Sequence, residues 1–272
     1  MTNAEVITRE ESLQQAIETA DTEVTILAPN FETLQALGRL DDPDWGDHVR
    51  ILTTAHPLKR LRREFTTATR IAEIASRNDV TIRTIEDQDA TLQPIVLTET
   101  QVTTVLLSGM ESVPALRTSV TPVLENIHET VASLWKSAQT ADISTPPYSQ
   151  VMKTVGENFG GSFETDVQTM LSTAMGSRAM SDGLDEVHAF LLLAARNREQ
   201  YRELTKWAER IQIGSPARFS TRKKELEGAG LLTTEKIERE TVGRPRQRLL
   251  LTDEELQDAP LDELVATAQA VL

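Results

Sequence analysis

The sequence predicts an α/β domain with a mixed sheet, followed by a helical domain that closes on a β-hairpin. Three observations carry this: short β-branched runs alternate with helical ones up to residue 109, a polar stretch with adjacent prolines interrupts the chain at 140–149, and basic residues gather beyond it.

The 272 residues, 39% of them hydrophobic, suffice for two ordinary cores. There is no run of about 18 apolar residues and no leader pattern, which predicts a cytoplasmic protein with no membrane partner. Cysteine is absent, so disulfides and thiolate metal sites are excluded, and His48, His56, His128 and His188 lack ligand spacing. No metal or cofactor is expected, and with no nucleophile or phosphate loop the chain does not read as an enzyme.

The α/β reading rests on five runs: VTILAP (24–29), HVRILTTA (48–55), VTIRTIE (80–86), PIVLTET (94–100) and VTTVLLSG (102–109). Between the second and third, residues 57–78 place Leu58, Leu61, Phe65, Ala68, Ile71 and Ala75 at helical spacing, as a crossover helix between parallel strands would. The last two runs are so close that they predict an antiparallel hairpin. Thr121 as N-cap and Pro122 at the first helical position start a helix to about Ala138, striped by Val123, Ile127, Val131, Leu134 and Trp135. That helix either closes the first domain or pairs with a second subunit. TADISTPPYS (140–149) reads as a linker, and two helices, about 150–158 and 163–175, follow it. Trp45, Trp135 and Trp207 read as core or interface anchors.

Net charge is −14, yet residues 201–250 hold 12 Lys and Arg against 7 Asp and Glu, a local +5 against −19 elsewhere. A duplex repels a polyanion and is held by cations, so this one segment is the candidate for nucleic acid. The acid excess, with 7 lysines against 21 arginines, resembles the proteins of extreme halophiles and implies a haloarchaeal source.

In the C-terminal part, a helix from Asp185 is striped by Val187, Phe190, Leu191, Leu193 and Ala194, and a second over 201–211 by Leu204, Ala208 and Ile211. Gly214, Ser215 and Pro216 then form a turn, an N-cap and an N1 proline that launch a third helix. This helix buries Phe219, Leu226 and Ala229 and carries Arg218, Arg222, Lys223 and Lys224 within two turns without an intervening acid. GAGLL (228–232) ends it, and two alternating strands follow, joined at VGRPR.

The chain here resembles the winged helix-turn-helix regulators of archaea and bacteria, through KELE-x-AGLL at Lys224 to Leu232 and GRPR at Gly243 to Arg246. The resemblance implies that Ser215, Arg218, Thr221, Arg222, Lys223 and Lys224 face bases or phosphates of double-stranded DNA. It likewise implies that Arg244, Arg246 and Arg248 lie along the neighbouring minor groove, with Pro245 stiffening the wing tip. As a whole, the order of domains is similar to the TbsP-type haloarchaeal transcriptional regulators connected with the TrmB network of sugar metabolism. TrmB itself carries its DNA-binding domain first, so its sugar-site residues do not carry over.

The resulting division is 1–139 for dimerisation or effector sensing, 140–182 for linker and connecting helices, and 183–272 for the winged helix-turn-helix domain. The expected function is a homodimeric, sequence-specific DNA-binding regulator of metabolic genes, a repressor by expectation, acting by occlusion or recruitment at a promoter; the alternative is a metabolite-sensing adaptor whose winged helix contacts protein. Lys59, Arg60, Arg62 and Arg63 are the candidates for a phosphorylated metabolite, read as opening a helix just after a strand. The competing reading of these four is a charged helix face. His56 and Lys59 are spaced HPLK rather than HxK, with no second copy, which speaks against a phospholipase D-like phosphodiesterase. Paired acids such as Asp41 and Asp42, or Glu86 and Asp87, carry no weight among 42 acids.

Overall fold

A computed structural model describes residues 3–40, 45, 48–77, 79–86, 93–105, 112–172, 184–237 and 246–272. The chain divides into two compact units: residues 1–63 with 67–147, and 64–66 with 148–272.

Among the described residues the first unit holds an eight-stranded mixed sheet in the order β1-β7-β6-β5-β2-β3-β4-β8. Its strands are β1 (Asn3–Thr8), β2 (Glu23–Ala28), β3 (His48–Thr54), β4 (Asp79–Ile85), β5 (Ile95–Leu97), β6 (Val102–Val105), β7 (Ser112–Thr118) and β8 (Gln139–Thr140). As expected, β3 and β4 pair in parallel and β5 and β6 form an antiparallel hairpin; β2 also lies parallel to β3. The sheet is buried on both sides, and the pleat sorts neighbouring residues between them. Val24, Ile26, Val49, Ile51, Ile82 and Val96 join a core with helices α1 (Arg9–Ile17), α2 (Phe31–Leu37), α3 (Ala55–Leu61) and α4 (Phe65–Arg77). Leu27, Leu52, Ile85, Leu97 and Val102 meet α5 (Thr121–Ser137) through Val131, Leu124, Ile127, Leu134 and Trp135. The Trp135 ring lies under the guanidinium groups of Arg50 and Arg83, at 5.3 and 4.4 Å.

Three expectations need correction. The N-cap of α5 is Val120, with no side-chain cap bond, so Thr121 lies inside the helix. The crossover is two helices, because α3 closes at an αR C-cap, Arg62, and a new helix begins at Phe65. Phe65, expected on the sheet-facing stripe, belongs to the core of the second unit.

That second unit begins with α6 (Tyr148–Asn158) and α7 (Gly161–Ser172). It continues with α8 (Glu186–Arg196), α9 (Tyr201–Arg210), α10 (Pro216–Gly228), the hairpin of β9 (Leu232–Ile237) and β10 (Arg246–Leu251), and α11 (Glu255–Asp258) and α12 (Leu261–Val271). Trp207, 2% exposed, stands against Phe190 and Phe159 with ring centroids 5.2 and 5.4 Å away. Its indole N–H donates to Thr154 Oγ1 at 3.0 Å, so the largest side chain of the core leaves no polar atom unpaired.

Candidate nucleic-acid interface

The third helix, α10, starts where the local chemistry dictates. Ser215 is its N-cap, with Oγ accepting from Arg218 N at 3.3 Å, and Pro216 follows in the first turn. Gly214 precedes it because a side chain there would press on Val187 and Phe219, with Cγ2 and Cε2 only 3.3 and 3.4 Å from a Cβ. Phe219 and Leu226 are fully buried and hold the helix to the domain, against α8 and α9. Gly230, at φ 74°, then turns the chain into β9 in a conformation that disfavours any residue with a Cβ.

The hairpin is tied back to the turn between α8 and α9. Gln200 bridges Arg248 in antiparallel fashion and Leu249 N donates to Glu199 O at 2.9 Å, which makes a short third strand. Three helices, a bridging residue and a two-stranded hairpin therefore follow in winged-helix order.

The cations expected on the DNA side are placed in two ways. Arg218 donates from Nη1 to Glu186 Oε1 at 2.7 Å and from Nη2 to Asp185 Oδ2 at 3.0 Å. Arg222 donates from Nε to the same Asp185 oxygen at 2.7 Å, and from Nη1 to both Glu225 oxygens at 2.8 and 3.0 Å. His188, 3% exposed, closes the ring: Nε2 donates to Glu225 Oε2 at 3.0 Å, and Nδ1 accepts from Asp185 N at 3.2 Å. The N-terminus of α8 and the middle of α10 are thus joined by a clasp of two arginines, one histidine and three carboxylates.

The electrostatics follow from this clasp. Burial works against ionising Asp185, but the hydrogen bond from the His188 backbone N–H and the charge of Arg218 prevail and hold its carboxyl well below the usual range. Burial pushes the Glu186 carboxyl up, with Arg218 opposing it. Removing one partner of a fully buried ion pair costs roughly 3–5 kcal/mol. The cost is smaller here, because Arg218 keeps 40% of its side chain exposed while Glu186 keeps 9%. Lys223, 12% exposed, pairs with Glu227 and has its ammonium 5.6 Å from the Tyr201 ring centroid.

Ser215, Thr221 and Lys224 are exposed, together with Ala217 and Ser220. Sequence reasoning passed over these last two, although helical spacing from Phe219 and Leu226 places them away from the core. Arg246 reaches Gln200 Oε1 at 3.0 Å, and Arg248 lies 3.6 Å from Glu235. Arg244 and Pro245, with the rest of the VGRPR loop up to them, lie outside the described residues.

In the first unit, Lys59 and Arg60 occupy the last turn of α3, Arg62 is its C-cap, and Arg63 lies just beyond. The four therefore do not open the helix that follows β3: they sit at the carbonyl end of a short helix, where the backbone favours cations, and Arg62 and Arg63 lie in the junction that leads into α4. Arg62 donates to Asp142 O at 3.2 and 2.7 Å, and Arg60 stacks on Phe31 at 4.2 Å and pairs with Glu32. A cavity of about 270 Å³ lies nearby between α4, β4 and residues 141–147, lined mainly by Ala72, Ala75, Val80, Ile82 and Ile143, with Asp142 at its edge. Among the described residues no group of three or more His, Asp or Glu is placed to hold a metal ion, and no helix is long and apolar enough to cross a membrane.

Fold and exposed helix together define the class: a winged helix-turn-helix protein with an α/β domain ahead of it. The chain belongs to the TbsP-like transcriptional regulators, matching the family's N-terminal domain over residues 2–146 and its C-terminal helix-turn-helix domain over 147–269. This is a family of regulators and not of enzymes. No curated protein matches the chain. Among solved structures it is similar to TrmBL2, described as an archaeal chromatin protein with a novel mode of DNA binding, at 17% identity and a TM-score of 0.35, over 51% of this chain and 54% of that one. It is also similar to Nuc, a phospholipase D family member from Salmonella typhimurium, at 14% identity and a TM-score of 0.35, over 52% of this chain and 99% of that one. The chain thus spans about half the length of TrmBL2, and likenesses this distant say nothing of function.

Proposed function

We propose that this regulator binds double-stranded DNA sequence-specifically as a homodimer, and controls metabolic genes of a haloarchaeon by occlusion or recruitment at their promoters. The observation that carries the reading is the outer face of α10, exposed at Ala217, Ser220, Thr221 and Lys224 inside a helix-turn-helix domain. A major groove about 12 Å wide admits one such helix, and two half-sites a helical turn apart give a small module its affinity. Arg246 and Arg248 lie on β10, and with Arg244, two residues before it in the sequence, they would follow the neighbouring minor groove. The haloarchaeal assignment rests on the acidic, arginine-rich composition, and the first unit serves as the dimerisation or sensing part.

The test is selection of genomic fragments by the full chain in molar potassium chloride, with light scattering on the complex. Wild type is expected to retain a small set of fragments as a dimer, with Lys224→Ala and Arg244→Ala/Arg246→Ala weakening retention. If no fragment is retained, the DNA-binding reading falls; if a monomer occupies the selected site, the dimer does.

A further inference from the structure

We infer that Arg218 and Arg222 are positioning residues, and that the bases are read by the outward stripe of Ala217, Thr221 and Lys224, so that the operator presents thymine methyl groups to this helix. This rests on the reading that the unit binds DNA, and it specifies how the major groove is read.

The helix fixes which residues can reach the groove. At 100° per residue, Phe219 and Leu226 define the core side of α10, and Ala217, Thr221 and Lys224 lie nearly opposite, with Ser220 and Gly228 alongside. All five are exposed. Arg218 and Arg222 lie off this stripe, toward α8, and their donors are directed to Asp185, Glu186 and Glu225. For either guanidinium to take the O6 and N7 of guanine, it would have to leave carboxylates behind: Asp185 and Glu186, 19% and 9% exposed, for Arg218, and Asp185 and Glu225 for Arg222. Lys223 is likewise spent on Glu227.

What remains outward is mostly methyl. Thr221 Oγ1 donates to Ala217 O at 3.1 Å, one turn back, so its hydroxyl is taken by the helix itself and its γ-methyl is the group left to meet a partner. Ala217 presents only a methyl. Ser220, exposed at the margin of the stripe, adds a single small hydroxyl. Among the described residues no acid pairs with Lys224, which leaves one cation a turn beyond Thr221 to meet a guanine edge or a phosphate. Alanine and threonine methyls against the thymine C5-methyl are a recognised major-groove contact.

The experiment uses the full chain in molar potassium chloride and duplexes selected from a random library. Each thymine of the selected half-site is replaced singly by deoxyuridine, which removes only the methyl, and each guanine by 7-deazaguanine, which removes N7. Deoxyuridine at one or two positions is expected to weaken binding about fourfold, the equivalent of one buried methyl. Thr221→Ser, which keeps the hydroxyl and loses the methyl, should bind thymine and deoxyuridine equally at its position. Arg222→Gln should lower affinity for all duplexes alike, leaving their ranking and the salt slope unchanged. The inference is overturned if no deoxyuridine matters, or if a 7-deazaguanine effect in wild type vanishes in Arg218→Gln or Arg222→Gln, since the arginines would then be the readers. If the library yields no selected duplex, DNA binding itself fails, an outcome distinct from both.

Discussion

Glu99, at the turn between β5 and β6, fastens that turn to the start of β2. Its carboxylate accepts from Thr22 N at 3.0 Å, from Glu23 N at 2.7 Å and from the Thr22 hydroxyl. Slight burial opposes ionisation, but these donors overcome it and lower the carboxyl from 4.5 to about 2. A depressed carboxyl contributes stability above its unfolded value and loses it as pH falls through the folded one. Acid unfolding of the wild type should therefore include a component between about pH 4.5 and 2. Glu99→Gln should flatten it, as followed by circular dichroism; an unchanged acid profile would refute the assignment. At this same scale Arg218 and Arg222 were legible as cations, but their partners were not. Asp185 and Glu186 stand more than 30 residues earlier, at the start of α8, where their evident role is to favour a helix N-terminus. Nothing in one-dimensional spacing tells that the two ends meet.

Elements were more legible than contacts. Helices α8, α9 and α10 and the parallel pair β3 and β4 follow from apolar periodicity, and the caps at Asp185 and Ser215 act as their types suggest. The strands β1 and β7 were missed: β7 contains Pro114, which argues locally against a strand, and only pairing with β1 and β6 establishes it. The break between α3 and α4 falls in LRREF, which contains neither glycine nor proline and gives no breaker signal. Where a glycine does matter, the consequence is measurable. Gly230→Ala would meet no atom within 4 Å, so its cost is the left-handed backbone alone, roughly 1–2 kcal/mol. Gly228→Ala, equally uncrowded and within the last turn of α10, should be neutral or stabilising. Urea unfolding of both variants checks the pair, and equal midpoints would contradict this account.

Across the molecule, charge is the quantity that sequence windows misjudge. The +5 of residues 201–250 omits Asp185 and Glu186, which neutralise two of its arginines in space. Arg218 and Arg222 are thereby held back from displacing counterions on phosphate, and the screening length falls to about 3 Å at 1 M salt. A shallow dependence of log K on log salt is expected, and a measured slope of roughly −8 to −10, typical of many phosphate contacts, would sink this view. The two-part architecture was legible because proline and polarity mark the stretch around residue 146; the covering of both sheet faces was not, since a fully buried strand has no alternation to display.

The clasp between α8 and α10 separates the residues that hold the helix from those that face outward. Asp185, His188, Arg218, Arg222 and Glu225 are bound to one another, whereas the side chains of Ala217 and Lys224 are exposed and bind no other side chain among the described residues. A lineage can therefore duplicate this gene and drift at positions 217, 221 and 224, acquiring new targets without passing through an unfolded intermediate. Change at the clasp is open to it only through paired substitutions, so paralogues should diverge on the outer face while inheriting the inner one intact.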